Sequence, residues 1–178
     1  MSETPLMENP PGVSVPTLEK LLDDLEKFIR DALRNYPLYV KQERYGGQPP
    51  TRDAEVAQMV MPEPDEEDER IPYVLLQLLN GSDKRNQYGR MESKANVRIV
   101  IVIYNPDRLE GRLQVLRAVQ KIRYEIYRAG VVGEMFGIEN LEYLIYPDDT
   151  QSYHMGEMST DWAIPPVERD LTEIWNAE

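Results

Sequence analysis

The sequence predicts an α+β fold, in which a mainly antiparallel sheet carries two amphipathic helices in the order α-β-β-β-α-β-β. Two long segments repeat apolar residues at steps of three and four, as helices with a buried side do. Short runs of β-branched and aliphatic residues lie between and after these segments, separated by turn residues. The chain of 178 residues has the length of one domain and can bury a core without a metal or a disulfide.

The first helix is predicted to begin after Thr17, because threonine caps helix N-termini through its side-chain oxygen. Its apolar residues fall on one side and its charged residues on the other. We expect Pro37 to end this helix, since proline lacks the N–H and its ring obstructs the preceding turn. The apolar side consists of Leu18, Leu21, Leu22, Leu25, Phe28, Ile29, Ala32, Leu33 and Tyr36.

A long acidic and proline-rich loop is predicted at about residues 46–71, after a first strand over Leu38–Tyr45. Within it, Asp53–Glu69 holds eight acidic residues and no basic one, so self-repulsion favours an extended conformation. Ala54–Met61 is apolar enough to become a short ordered element on contact. A loop of this length is either functional or disordered, and the sequence leaves both open.

Two aliphatic runs, Pro72–Leu79 and Ala95–Tyr104, predict a pair of antiparallel strands. The second run is apolar on both faces from Ile99 onward, which is typical of a central strand. The connection Asn80–Arg90 is long for a hairpin and carries several basic residues. We therefore expect this connection to project from the sheet.

The second helix is predicted to start at Asn105–Asp107 and to end at Ala129, with Gly130 at its C-terminal cap. Its apolar residues form two arcs instead of one. One sheet face cannot hide both arcs, so either the first helix covers the second surface or a neighbouring subunit does, with Arg112 and Arg123 at the seam. The first arc is Leu109, Leu113, Leu116 and Tyr127, and the second is Val115, Ala118, Val119, Ile122 and Ile126.

The last two strands, Leu141–Tyr146 and Tyr153–Ile164, are predicted to pair across a turn. Trp162, at the end of the second of these strands, is assigned to the core, and Trp175 to an interface. Residues 1–16 are rich in proline and polar residues and predict a disordered arm. Residues 17–178 are then a single α+β domain.

The composition excludes several classes of function. No cysteine is present, which excludes disulfides, thiolate zinc sites and cysteine nucleophiles. A net charge of −12 argues against generic nucleic-acid binding. Because there is no apolar run of membrane-spanning length and no basic start, we expect a soluble, cytoplasmic protein.

The charges are distributed unevenly along the chain. Arg70–Arg128 holds 12 basic and 5 acidic residues (+7), whereas Ala129–Glu178 holds 1 basic and 11 acidic residues (−10). Such polarity favours contact between complementary charges, either within one subunit or between neighbouring subunits.

No catalytic residue, metal site or cofactor is predicted. The sequence has no glycine loop that could cradle a phosphate, and the serines near His154 do not lie in a nucleophile elbow. We expect His154 to be a surface residue of its strand. A metal-dependent hydrolase is the competing hypothesis, although acidic residues on a solvated strand pair give the same pattern. Its candidate ligands are Asp148, Asp149, His154, Glu157 and Asp161.

The order of elements resembles the tail terminator (tail completion) proteins of long-tailed bacteriophages and prophages. The residues that carry the resemblance are Ile71–Leu76, the Val97–Tyr104 strand leading into Asn105–Asp107, and Trp162–Pro165. The resemblance covers about Thr17–Glu168. The resemblance implies a non-enzymatic virion assembly protein that forms a ring, commonly a hexamer, on the end of the tail tube. Such a ring stops tube polymerisation and presents the surface that joins the tail to the capsid connector.

The resemblance also implies partners and a location. The partners are further copies of the chain, the tail tube protein and a connector or neck protein, with neither a membrane nor nucleic acid among them. The location is the host cytoplasm during assembly and then the tail–neck junction of the virion. Because the acidic insertion before Ile71 is longer than a minimal family member needs, another neck or head–tail joining protein stays an alternative.

Two sets of contact residues are expected. The subunit interface is assigned to Arg112, Arg117, Lys121, Arg123 and Trp175. Contacts with the tube or the connector are assigned to Lys84, Arg85, Arg90, Lys94, Glu66 and Glu67.

Overall fold

The computed structural model describes residues 16–40, 50–60, 71–147 and 152–166. It confirms the predicted α+β fold. The elements are α1 (Leu18–Ala32), β1 (Leu38–Tyr39), β2 (Thr51–Arg52), β3 (Glu55–Gln58), β4 (Tyr73–Arg85), β5 (Met91–Tyr104), α2 (Arg108–Ala129), β6 (Val131–Val132), β7 (Phe136–Ile145) and β8 (Tyr153–Ile164). The predicted disordered arm, residues 1–16, lies outside the described residues apart from Pro16.

Six strands form one sheet in the order β3-β4-β5-β8-β7-β6, and β1 pairs with β2 in a separate two-stranded sheet. All pairs are antiparallel except β3 with β4. Both helices pack on one face of the six-stranded sheet, called here the helix face, and the core lies between them and it. Along β5 this face carries Val97, Ile99, Ile101 and Ile103, all fully buried.

Helix α1 begins at the predicted residue and ends earlier than predicted. The Thr17 Oγ1 atom accepts a hydrogen bond from the Lys20 N–H at 3.0 Å, as an N-cap does. The helix ends at Ala32, and Asn35 adopts a left-handed conformation with φ of 60°. Asparagine tolerates this conformation better than most residues, so the chain turns before it reaches Pro37. Leu33 and Tyr36, which the sequence pattern places on the apolar side of this helix, therefore follow the helix and do not belong to it.

Strands β4 and β5 are longer than predicted, because much of the connection Asn80–Arg90 continues the ladder. Pairing runs out to Arg85 and Met91, with a bulge between Leu78 and Asn80. The distal part projects from the sheet as a polar two-stranded ribbon, as expected. Its turn is closed by the Asn86 Oδ1 atom, which accepts from the backbone N–H groups of Tyr88 and Arg90.

Two short strands lie within residues 46–71, the segment that the sequence predicts as a loop. Strand β2 pairs with β1, and β3 lies parallel to β4 with Val56 buried. The Gln58 side-chain amide donates to Asp23 and Glu26 of α1, at 2.9 and 2.7 Å. The apolar segment Ala54–Met61 is thus ordered through its contact with α1 and β4 as far as residue 60. Residues 41–49 and 61–70 lie outside the described residues.

Candidate subunit interface

Helix α2 buries one of its two apolar arcs against the sheet. Val115, Ala118, Val119, Ile122 and Ile126 are fully buried on the helix face. The N-terminal part of α2 approaches β8 closely, since a Cβ atom added at Gly111 would lie 2.1 Å from the Nε2 atom of His154. The helix begins within the predicted Asn105–Asp107 segment, with Asp107 as its N-cap, and it ends as predicted at Gly130, which has a left-handed conformation.

The other arc of α2 remains at the surface. Together with Tyr124, which the sequence pattern assigns to neither arc, it forms what we call the α2 stripe: Leu109, Leu113, Leu116, Tyr124 and Tyr127. The exposed fractions of four of these side chains are 70% for Leu109, 36% for Leu116, 63% for Tyr124 and 47% for Tyr127. The steps of three, four and eight residues between them align these side chains along one side of the helix. Contiguous exposed apolar side chains of this kind mark interaction surfaces.

Helix α1 does not cover the α2 stripe. It lies beside the charged side of α2, where Phe28 and Asp31 of α1 line a groove with Lys121 and Glu125 of α2. After α1, the Tyr36 hydroxyl donates to the Gln114 carbonyl oxygen at 3.4 Å. Of the two explanations that the sequence leaves open, cover by the first helix is therefore wrong for this arc. Cover by a neighbouring subunit stays a prediction.

The structure separates the four cations of α2 that the sequence assigns to the subunit interface. Arg112 and Arg123 border the α2 stripe, and the Arg123 guanidinium lies 5.6 Å from the centre of the Tyr127 ring. Arg117 and Lys121 lie on the charged side, where Arg117 forms an ion pair with Glu110 at 2.6 Å. The interface role of all four residues stays a prediction, and Trp175 lies outside the described residues.

The residues expected to contact the tube or the connector lie in different parts of the structure. Lys84 and Arg85 end β4, and Arg90 lies in the turn of the ribbon. Lys94 instead lies in the body of the sheet, where its ammonium forms a 2.7 Å ion pair with Glu139. The hydrogen bond to Glu139 and the charge of that carboxylate raise the pKa of Lys94. Glu66 and Glu67 lie outside the described residues.

His154 is 1% exposed and is not the surface residue that the sequence predicts. Its Nε2 atom donates to the Asn105 carbonyl oxygen at 3.0 Å on the helix face. Glu157 and Asp161 are an odd number of residues away along β8 and therefore lie on the opposite face of the sheet. The candidate metal ligands His154 and Glu157 thus cannot share one ion. Asp148 and Asp149 lie outside the described residues.

The face of the sheet opposite the helices, which we call the open face, has an apolar centre and a polar cluster that the sequence did not single out. The Glu157 carboxylate accepts from the Arg98 guanidinium and from the Tyr146 hydroxyl, the latter at 2.9 Å. Burial raises the pKa of Glu157, but the hydrogen bonds from Arg98 and Tyr146 outweigh it, so the pKa is lowered. Strand alternation in the sequence could have indicated this polar cluster, because alternation places Arg98 and Glu157 on one face of the sheet once the register of β5 and β8 is known.

We expect the substitution Glu157→Gln to lower the free energy of unfolding at neutral pH by about 0.2–1 kcal/mol, the range for ion pairs that are open to solvent. A carboxylate with a lowered pKa stabilises the fold while it is ionised, and this stabilisation is lost as the pH falls through the folded-state pKa. Urea unfolding between pH 7 and pH 3 should therefore show the difference between wild type and variant shrinking in acid. Glu142→Gln, at an exposed position of the same face, is the matched control, and an equal effect there would contradict the assignment.

None of the described helices is long and apolar enough to cross a membrane. Within the described ranges, no group of three or more histidine, aspartate or glutamate side chains is arranged to hold a metal ion.

Comparisons with known proteins identify no family. No family model matches the sequence, and no curated protein matches it. Among solved structures, a chain described as "Virion of native gene transfer agent (GTA) particle" is similar, with 13% sequence identity and a TM-score of 0.41. The similarity covers 61% of this chain and 77% of that chain. A similarity of this extent carries no argument about function.

Proposed function

We propose that the protein is a non-enzymatic virion assembly protein of the tail terminator type, which acts by forming a ring of identical subunits. The observation that carries the proposal is the α2 stripe, an apolar surface that neither the sheet nor α1 covers. Its aromatic residues suit an interface, because tyrosine buries a large area with little loss of side-chain entropy. The sequence resemblance to tail terminators supports the same conclusion.

The fold is consistent with a role in assembly. A ring of identical subunits needs heterologous contacts, so each copy must offer two different surfaces that fit each other. The uneven charge distribution, +7 over Arg70–Arg128 and −10 over Ala129–Glu178, would supply complementary electrostatics for such contacts. A ring placed on the end of a tube would then stop its growth by occupying the site where the next tube subunit binds.

The first test is the mass of the protein in solution. Light scattering over a concentration series at low and moderate salt should show a discrete assembly, near six chains for a hexamer. We expect Tyr124→Ser to raise the concentration needed for half-assembly by about tenfold or more, because truncating an aromatic anchor costs about 1.4 kcal/mol or more and each 1.4 kcal/mol is a factor of about ten. The matched control is Tyr88→Ser, which truncates an exposed tyrosine of the ribbon outside the α2 stripe.

Two outcomes would contradict the ring. One is a monomer at every concentration, both alone and with tail tubes, and the other is an assembly that Tyr124→Ser and Tyr88→Ser affect equally. The terminator role is tested separately by adding the protein to polymerising tail tube protein and measuring tube length by electron microscopy. A terminator should stop elongation and label tube ends. A protein that binds only the capsid connector would instead be the alternative head–tail joining protein.

A further inference from the structure

We infer that the open face of the sheet in one copy receives the α2 stripe of the next copy. This inference rests on the proposed ring and names both sides of its interface. In the described part of the chain, both helices pack on the helix face, and no described helix packs on the open face. A strand that is apolar on both faces, as β5 is, is typical of sheets covered on both sides.

The open face has an apolar centre that fits the α2 stripe. Val100 and Val102 of β5 lie there beside Leu75 of β4, its register neighbour. On β7, Leu144 is 50% exposed and lies opposite Glu157 of β8. Val100 and Val102 are already buried, at 7% and 9% exposure, so a partner would cover chiefly Leu144 and the half-buried Leu75. Leucine and tyrosine side chains along one helix, as in the α2 stripe, would make such a contact.

The charges of the two surfaces are complementary. Arg123 borders the α2 stripe and supplies its positive charge, whereas the Arg112 guanidinium on the same border donates to the Pro147 carbonyl oxygen. The acidic residues Glu110 and Glu125 form ion pairs on the charged side of α2. On the open face, the cations Lys94 and Arg98 of β5 are each paired with a glutamate.

Two acidic residues then remain beside the apolar centre of the open face. No cation of the described residues forms an ion pair with Glu142 or Asp161, although Asp161 accepts a hydrogen bond from the Asn96 side chain at 2.7 Å. The open face therefore presents excess negative charge next to its apolar centre, whereas the α2 stripe presents positive charge next to apolar side chains. Complementary potentials of this kind set the orientation of two subunits.

The two surfaces lie on opposite sides of the domain, as a head-to-tail contact between copies allows. The α2 stripe faces away from the sheet, since the residues on the opposite side of α2, such as Ile122, pack on the sheet. The open face is on the far side of that sheet. In a domain of two layers, the outer side of the helix layer and the outer side of the sheet layer point in opposite directions. Contact between one and the other therefore continues from copy to copy, and it forms a ring when the rotation between successive copies closes.

The test uses two full-length variants, each with one charge reversed and one exposed apolar side chain truncated. The stripe variant is Arg123→Glu with Tyr124→Ser, and the face variant is Glu142→Arg with Leu144→Ser. All four positions are at the surface, and urea unfolding curves check that both variants fold. Each variant alone should be monomeric by light scattering. Their equimolar mixture should form dimers and nothing larger, because only one intact stripe and one intact face remain to meet.

The other outcomes distinguish a failure of this inference from a failure of the proposed ring. If the face variant alone assembles as wild type does, the open face is not the partner surface, and contact between two stripes would replace the inference. If both variants assemble normally, the ring uses other surfaces and the inference is overturned while the ring stands. If wild type is monomeric under all conditions, the proposed ring itself is wrong. If both variants are monomeric and their mixture forms no dimer, the pairing of these two surfaces is wrong.

Discussion

Replacement of Trp162 by alanine is expected to lower the free energy of unfolding by about 3–5 kcal/mol, the range for removing a large aromatic residue from a core. Trp162 is fully buried on β8, between Ala95 of β5 and Ile138 of β7. Small Ala95 leaves room for the indole ring, so its removal leaves a cavity at the centre of the sheet. A loss of this size is a large fraction of the stability of an ordinary domain.

The indole also begins a short chain of hydrogen bonds. Its Nε1–H donates to the Thr160 hydroxyl oxygen at 2.8 Å, and that hydroxyl donates to the Val97 carbonyl oxygen at 2.8 Å. Trp162→Phe keeps most of the ring but loses the N–H, so we expect it to cost about 1–2 kcal/mol. Urea unfolding followed by far-UV circular dichroism measures both variants. Equal losses for alanine and phenylalanine would show that packing contributes little and would contradict the prediction.

The substitution Gly111→Ala is expected to destabilise the protein by about 1–3 kcal/mol, the range for overpacking in a core. In a helix interior, the same change ordinarily stabilises by about 1 kcal/mol, because alanine has the higher helix propensity. Here the new methyl group would lie 2.1 Å from the Nε2 atom and 2.2 Å from the Cδ2 atom of His154. The imidazole cannot swing away without breaking its hydrogen bond to Asn105.

Two controls make this prediction specific. Gly81→Ala places a methyl group at ordinary contact distance, 3.5 Å from the Lys94 carbonyl oxygen and 3.6 Å from Leu18, so it should change stability much less. In a background of His154→Ala, the methyl group at position 111 has space, and Gly111→Ala should no longer destabilise. The urea midpoints of wild type, of Gly111→Ala, Gly81→Ala and His154→Ala, and of the double variant test this prediction. A Gly111→Ala protein as stable as wild type would show that His154 does not limit the approach of α2 to β8.

Local signals in the sequence were sufficient to place several elements. Thr17 caps α1 as predicted, α2 begins within the predicted Asn105–Asp107 segment, and Gly130 ends α2 in the conformation that glycine favours. The bounds of β8, Tyr153–Ile164, are those that the alternating pattern predicted. The end of α1 was misplaced because Asn35 turns the chain before Pro37 does. The ends of β4 and β5 were underestimated, because the ribbon beyond the sheet is polar on both faces and lacks the apolar pattern of a buried strand.

The candidate interface could be predicted only in part. Periodicity showed that α2 has two apolar arcs, and Arg112 and Arg123 were placed at their border from the sequence alone. Which arc is buried could not be predicted, because both have similar composition and the choice depends on the sheet. The open face could not be identified at all, since its apolar centre and its acidic border come from strands that are distant in the sequence.

By itself, the sequence determined the fold class, the helix caps, the strongest strands and the exclusion of cysteine chemistry, since all of these depend on composition or on neighbours within a few residues. Only the tertiary structure decided that His154 is buried against Gly111 and that Glu157 faces the other way. It also decided that the α2 stripe stays at the surface. These outcomes depend on register and on which helix face meets the sheet, and such contacts join residues far apart in the chain, where no local pattern specifies them.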